Sequence, residues 1–238
     1  MNLVYTSGII IAILIILRVV FLLKTRYPRK AVSTSGKLII VRHGESDWNK
    51  LGLWTGKRDR HLTEFGFKCS EDMGQLIIDI PIHQAYASMQ VRTIETLSSM
   101  MEIKGQYDVP TEYVRELNER DYGDYTSMNK EEVEKKIGKK AWDSLRREWD
   151  YPVPNGETLK MVYERVVPFY QEKVVPILLS GKNVLIVSHG NAIRALVKYI
   201  ESISDERIKH VEMLFCSVLV FDVDRKGKAV HKGIRRLP

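Results

Sequence analysis

Short aliphatic runs alternate with stretches of helical period along most of the chain. Lys37 to Val41 ("KLIIV"), Ala85 to Ser88 ("AYAS"), Lys182 to Ser188 ("KNVLIVS") and Val218 to Asp224 ("VLVFDVD") are short and apolar or alternating, as strands are. Between them, apolar residues recur at helical spacing over Thr63 to Ile78, from about Gln90, over Lys130 to Trp149, over Glu157 to Leu179 and from about Asn191. Strands that alternate with amphipathic helices require a sheet covered on both faces. The pattern therefore predicts a three-layer α/β/α domain with a mostly parallel sheet over residues 37–238. In such folds ligands bind beyond the carboxyl ends of the strands.

One segment has no period at all. Leu3 to Leu23 reads "LVYTSGIIIAILIILRVVFLL", about the 20 residues that cross a bilayer as a helix. Its Ile, Leu, Val and Phe residues favour insertion by roughly 4 to 8 kcal/mol, and Arg18 opposes it by at most about 3.5. Residues 1–24 are thus expected to be a transmembrane anchor and residues 25–36 a basic, polar linker. No charge precedes the apolar run, whereas Lys24, Arg26, Arg29 and Lys30 follow it, which predicts a single-pass membrane protein with its domain facing the cytosol. The sequence does not say which membrane, and cleavage between Ala31 and Gly36 is the competing reading.

Charge changes the picture only after it is divided. Of the formal net charge of +7, +5 lies in residues 1–36, so the domain carries little excess and calls for no nucleic acid. Two cysteines, Cys69 and Cys216, each in apolar surroundings, read as core thiols of a reducing compartment. No solenoid repeat, zinc-ligand spacing or P-loop is present, and no metal is expected. Nothing in the sequence fixes an oligomeric state.

The candidate chemistry lies where two strands end. "LIIVRHGESDWN" (Leu38 to Asn49) and "VLIVSHGN" (Val184 to Asn191) each run an aliphatic strand into His-Gly. A neutral imidazole beside a guanidinium suits attack on phosphorus, because cations neutralise the oxygens while a ring nitrogen forms a covalent intermediate. His43 with Arg42 fits this role, and Gly44 allows backbone N–H groups at a helix start to approach the anion. His189, ahead of Gly190 and Asn191, offers a second donor, and Arg92 a bidentate clamp. Each alone reads as a capped strand end or a surface cation; three strand ends together point to one pocket. His61, His83, His210 and His231 read as structural or exposed. Glu116, Glu119, Asp121 and Asp124 all compete for the part of acid, and spacing does not choose among them. Arg146 and Arg147 read as a charged helix face unless a second anion must be held.

From about Lys37 onward the chain resembles the histidine phosphatase superfamily and, within it, the cofactor-dependent phosphoglycerate mutases. The resemblance rests on several separated motifs: "RHGES", "ESDWN", "WTG", "LNERDYG", "MNK", "RR" and "SHGNAIR". It implies that His43 is the phosphorylated nucleophile and that Arg42, Arg92 and His189 bind the transferred phosphoryl group. Glu119 then becomes the proton donor and acceptor. Asn49, Thr55, Gly56 and Tyr122 would touch substrate, Gly190 and Asn191 would complete the phosphate pocket, and Lys130, Arg146 and Arg147 would hold the substrate's other anionic groups. Larger mutases carry an additional segment between "WDYPVP" and "NGETL" and a longer tail than "GIRRLP", and Asp121 stands where the family often has histidine.

The implied activity is interconversion of 3-phosphoglycerate and 2-phosphoglycerate through phosphohistidine, primed by 2,3-bisphosphoglycerate. A phosphatase needs to grip only one phosphate. The second group of cations therefore favours a mutase over the alternative, a membrane-anchored phosphatase of phosphate monoesters or phosphoproteins. An inactive interaction module with this fold is disfavoured by the intact set His43, Arg42, Arg92, Glu119 and His189.

Overall fold

The computed structural model describes residues 35–237. Its strands are β1 (Lys37–Arg42), β2 (Gln84–Ser88), β3 (Thr111–Val114), β4 (Val184–Ser188), β5 (Val218–Val223) and β6 (Ala229–Arg235), in one sheet of order β3-β2-β4-β1-β5-β6. Neighbours from β3 through β1 pair in parallel, whereas β5 and β6 are antiparallel. The helices are α1 (Asp47–Lys50), α2 (Glu64–Leu76), α3 (Val91–Lys104), α4 (Lys130–Ile137), α5 (Lys139–Arg147), α6 (Leu159–Phe169), α7 (Val175–Leu179) and α8 (Gly190–Ile200). A π-wound turn, Tyr170–Val174, joins α6 to α7.

The expected three layers follow from the period of the strands. In β1, Leu38 and Ile40 pack with Val162, Val166, Ile193 and Leu196 on one face, and Ile39 and Val41 pack with Met73, Ile77, Leu97 and Met100 on the other. Each fully buried aliphatic side chain contributes about 1.5 to 3 kcal/mol. A slip of one residue would send every one of them to the wrong face, so this register is strongly fixed. A smaller cluster of Trp54, Tyr122, Val133, Trp142, Leu145 and Val153 supports α4 and α5.

Parallel pairing has a functional consequence. β2, β4 and β1 are adjacent and run the same way, with Arg42 in register with Ser188, so His43, His189 and the segment leading to Arg92 all emerge at one sheet edge.

Several expectations are corrected. The helix read over Lys130 to Trp149 is two helices, broken at Gly138, whose φ of +80° is open to glycine but disfavoured for other residues. The sequence pattern named no strand after Val218 to Asp224, yet β6 follows it. β3 and β6 are edge strands with largely exposed side chains and so lack the apolar alternation by which strands are found.

The expected anchor over residues 1–24 lies outside the described residues, as does the linker up to residue 34. The last two linker residues are tied to the domain, with Ser35 Oγ donating to Val223 O at 2.7 Å and Gly36 N to Leu178 O at 2.7 Å. Among the described residues no helix is long and apolar enough to cross a membrane. The expected single-pass membrane localisation is corrected to this extent: the described residues supply no membrane-spanning helix and no support for a membrane partner.

The cysteines are also corrected. Cys69 on α2 and Cys216 ahead of β5 form a disulfide, with their Cα atoms 5.2 Å apart. Apolar surroundings suit thiols and disulfides alike, and only proximity distinguishes them. The bridge spans 147 residues of sequence, so Cys69→Ser is expected to lower the unfolding free energy by about 3 to 5 kcal/mol. Denaturant titration checks this. Dithiothreitol should reproduce the loss in the unmutated chain and leave the variant unchanged; equal stability of the oxidised and reduced chains would refute the pairing.

Candidate active site

His43 follows the last residue of β1, and its backbone N–H donates to Ser188 O at 3.0 Å, which extends the ladder by one rung. The ring is buried, and its Nδ1 lies 2.6 Å from the carbonyl of Gly44. A carbonyl can only accept, so Nδ1 carries the proton and Nε2 keeps its lone pair. Arg92 Nε donates to that Nε2 at 3.3 Å. Burial, followed by the charges of Arg92 and Arg42, holds the His43 pKa well below its ordinary 6.5, so the ring is neutral at neutral pH.

His189 packs beside it, with ring centroids 4.9 Å apart. Its Nε2 lies 2.7 Å from Ser88 Oγ, and its buried Nδ1 has no partner among the described residues. Burial, then Arg92 and His43, push its pKa down as well.

Arg92 is held from behind. One N–H of each Nη is spent on a backbone carbonyl, Arg58 O at 2.9 Å and Gly56 O at 3.0 Å, so the expected bidentate clamp is reduced to Nε and the remaining N–H groups. Burial lowers its pKa to about 10, which leaves it charged. Arg42 donates Nη1 to Met213 O at 3.0 Å, while its buried Nε has no partner among the described residues.

Glu119 is buried with its two oxygens used differently. Oε1 accepts the backbone N–H of Arg120 at 2.7 Å and of Asn191 at 3.2 Å, whereas Oε2 accepts from no described residue. Of the competing carboxylates, Asp121 pairs with Lys57, Asp124 accepts from Asn155, and Glu116 is exposed at the surface.

These groups share one cavity of about 330 Å³. Arg42, His43, Asn49, Thr55, Arg92, Glu119, Tyr122, Lys130, Arg146, Arg147, Gly190 and Asn191 line it. Gly56 and His189 are not among its lining residues, although the His189 ring packs directly on that of His43. Gly56 offers its carbonyl to Arg92 and Gln90 instead of facing the cavity. Tyr122 OH accepts from Asn191 Nδ2 at 2.7 Å, and its ring lies 4.1 Å from that of Trp54. Asn49 closes a capping box with Ser46 at the start of α1. The Lys130 pKa is lowered by burial and then by the charges of Arg42 and Arg146.

Gly44 does not provide the expected anion contact. Its N–H is spent on Thr96 Oγ1 at 3.0 Å, and a Cβ there would lie 2.2 Å from Gly66 O, so glycine is needed for close packing against α2.

The family model for the histidine phosphatase superfamily (branch 1) matches residues 38–233. The chain belongs to the histidine phosphatase superfamily. It is 39% identical over 201 residues to the 2,3-bisphosphoglycerate-dependent phosphoglycerate mutase of Parvibaculum lavamentivorans, covering 82% of this chain and 94% of the relative. It is also 39% identical over 223 residues to the Streptococcus pyogenes protein of the same name, covering 82% and 96%. Among solved structures, Bacillus stearothermophilus YhfR superposes with a TM-score of 0.74 at 25% identity, covering 86% and 98%.

Within this superfamily fold, sequence reasoning missed three buried polar residues. Gln90 accepts the Glu119 N–H at 2.8 Å and donates to Gly56 O at 3.0 Å, joining two site segments. Arg120 donates to Leu145 O at 2.9 Å, and Arg194 to Arg146 O at 3.0 Å and Arg147 O at 2.8 Å. Those guanidinium groups cap the C-terminal carbonyls of α5, where cations are favourable, and so fix the end that bears Arg146 and Arg147. Among the described residues no group of three or more His, Cys, Asp or Glu is placed to hold a metal.

Proposed function

We propose that this chain is a 2,3-bisphosphoglycerate-dependent phosphoglycerate mutase, which interconverts 3-phosphoglycerate and 2-phosphoglycerate through a phosphohistidine at His43, with residues 37–238 as its catalytic domain. The observation that carries the reading is a second cationic group, Lys130, Arg146 and Arg147, in the same cavity as His43 and Glu119. One phosphate does not need it. A glycerate that carries two phosphates and a carboxylate does.

The residues present fit the primer. Buried donors without a protein partner, Arg42 Nε and Thr55 Oγ1, belong to residues that line the cavity, and its cations outnumber its acids. When bound, 2,3-bisphosphoglycerate supplies the phosphoryl group that loads His43. The chain's own part is then a symmetrical exchange. His43 Nε2 uses its lone pair to form the N–P bond as the phosphorus–oxygen bond of the ester breaks, and Glu119 Oε2 delivers a proton to the departing oxygen. In the reverse transfer the N–P bond breaks, and the same carboxylate removes the proton of the attacking hydroxyl. Arg42, Arg92 and His189 stabilise the charge on the phosphoryl oxygens in both directions. Lys130, Arg146 and Arg147, with Asn49, Thr55 and Tyr122, retain the doubly phosphorylated glycerate while its ends exchange places over His43. Gly190 and Asn191 bring the start of α8 against the phosphate, and Gly56 acts through Arg92.

The test is a coupled assay on the full chain for isomerisation and for phosphate release, with and without primer. Isomerisation that depends on primer is expected; brisk phosphate release with no isomerisation would defeat the proposal. Arg146→Ala should cost isomerisation about 30-fold or more, the scale of an unpaired charge in a binding site. Its hydrolysis of p-nitrophenyl phosphate, a single-phosphate reaction, should change little. Equal losses in the two reactions would mean that Arg146 does not serve a second anion.

A further inference from the structure

Arg147, one of the second-site cations, is already engaged by an acid of the chain itself. Its Nη2 pairs with the Glu212 carboxylate, and its Nη1 donates to Lys209 O at 3.5 Å. Glu212 lies on the strap that leads into β5. The same strap places the Met213 carbonyl on Arg42 Nη1 at 3.0 Å and the Phe215 ring 3.7 Å from the Arg42 guanidinium. One segment therefore touches the cation beside His43 and a cation of the second site, and the Cys69–Cys216 bridge fastens its end to α2.

The Glu212 carboxylate lies within the cationic group as well as beside Arg147. Its pKa is held down first by the hydrogen bond and charge of Arg147, and further by Arg146 and Arg194. It also lines the cavity. A carboxylate so surrounded occupies a place suited to the carboxylate or second phosphate of a phosphoglycerate.

We infer that Glu212 is a built-in competitor for the second-anion site, so that a substrate's second anionic group binds there only by displacing the Glu212 carboxylate from Arg147. The inference rests on the mutase reading for the identity of that second anion. The pair is cheap to open, since the side chains of Arg147 and Glu212 are 34% and 56% exposed. Exposed pairs of this kind are held by no more than about fivefold in equilibrium constant. A phosphoglycerate exchanges its own anion for that of Glu212, which turns to solvent, so no cation is left unpaired. A substrate with one phosphate has nothing to exchange and leaves the pair closed.

The experiment compares the full chain with Glu212→Gln and Glu212→Ala by calorimetric titration with 3-phosphoglycerate and with phenyl phosphate. Removal of the competitor should tighten 3-phosphoglycerate about three- to fivefold and leave phenyl phosphate almost unchanged. Unchanged affinities, equal tightening of both ligands, or weaker 3-phosphoglycerate binding would each overturn the inference. The two readings remain separable: an unmutated chain that binds both ligands but never isomerises sinks the mutase, while the change in ligand selectivity can still be read from binding.

Discussion

His43→Ala is expected to reduce phosphoryl transfer by at least about 10⁴-fold, the scale on which removal of a covalent nucleophile acts. No other group in the cavity combines a lone pair and a fixed direction in the same way. Nδ1 is committed to the Gly44 carbonyl at 2.6 Å, so Nε2 alone is nucleophilic, and its lone pair accepts only a long hydrogen bond from Arg92 Nε at 3.3 Å, which yields when phosphorus arrives. Incubation with labelled 2,3-bisphosphoglycerate should leave acid-labile phosphate on the unmutated chain and none on the variant. Label retained by the variant would assign the nucleophile elsewhere. The same burial sets a pH dependence. Because the folded pKa of His43 lies well below 6.5, protonation of the nucleophile does not limit transfer until the pH is well under that value. The unfolded chain takes up the proton first, so this buried imidazole also makes the fold less stable as pH falls through 6.5.

Glu119→Gln is expected to slow isomerisation by about 10² to 10⁴-fold, the usual worth of a positioned acid and base. Glutamine keeps the shape and can still accept the Arg120 and Asn191 N–H groups that hold Oε1 at 2.7 and 3.2 Å. It cannot supply or take the proton at the other oxygen. The loss should therefore depend on the leaving group. p-Nitrophenolate departs without a proton, so transfer from p-nitrophenyl phosphate to His43 should fall far less than transfer from phosphoglycerate. Equal losses with both substrates would show that Glu119 acts by position or charge alone.

Both variants concern residues that the sequence had already singled out, and the reason is physical. A nucleophile at the end of a buried strand sits next to an aliphatic run, so "LIIVRHG" and "VLIVSHGN" announce both the strand and its tip. Cations that must meet an anion are themselves unusual beside apolar segments. Glu119 was legible only through resemblance, because four carboxylates crowd one stretch and spacing does not rank them. Its selection became physical once Asp121 and Asp124 were found paired with Lys57 and Asn155 and Glu116 exposed, while Glu119 Oε2 was left open.

What the chain alone determined were the properties written into local period and adjacency: the α/β alternation, the mostly parallel sheet and the strand-end histidines with their neighbouring cations. These need only that apolar side chains leave water and that a strand has two faces. What tertiary structure decided were the relations between segments far apart in sequence. Folding brought together Cys69 and Cys216, gave Arg147 to Glu212, and placed the Gly56 carbonyl behind Arg92. It also spent the Gly44 N–H on Thr96. Each polar group had several partners it could have satisfied, and only the packing of the layers set which one came within hydrogen-bonding reach.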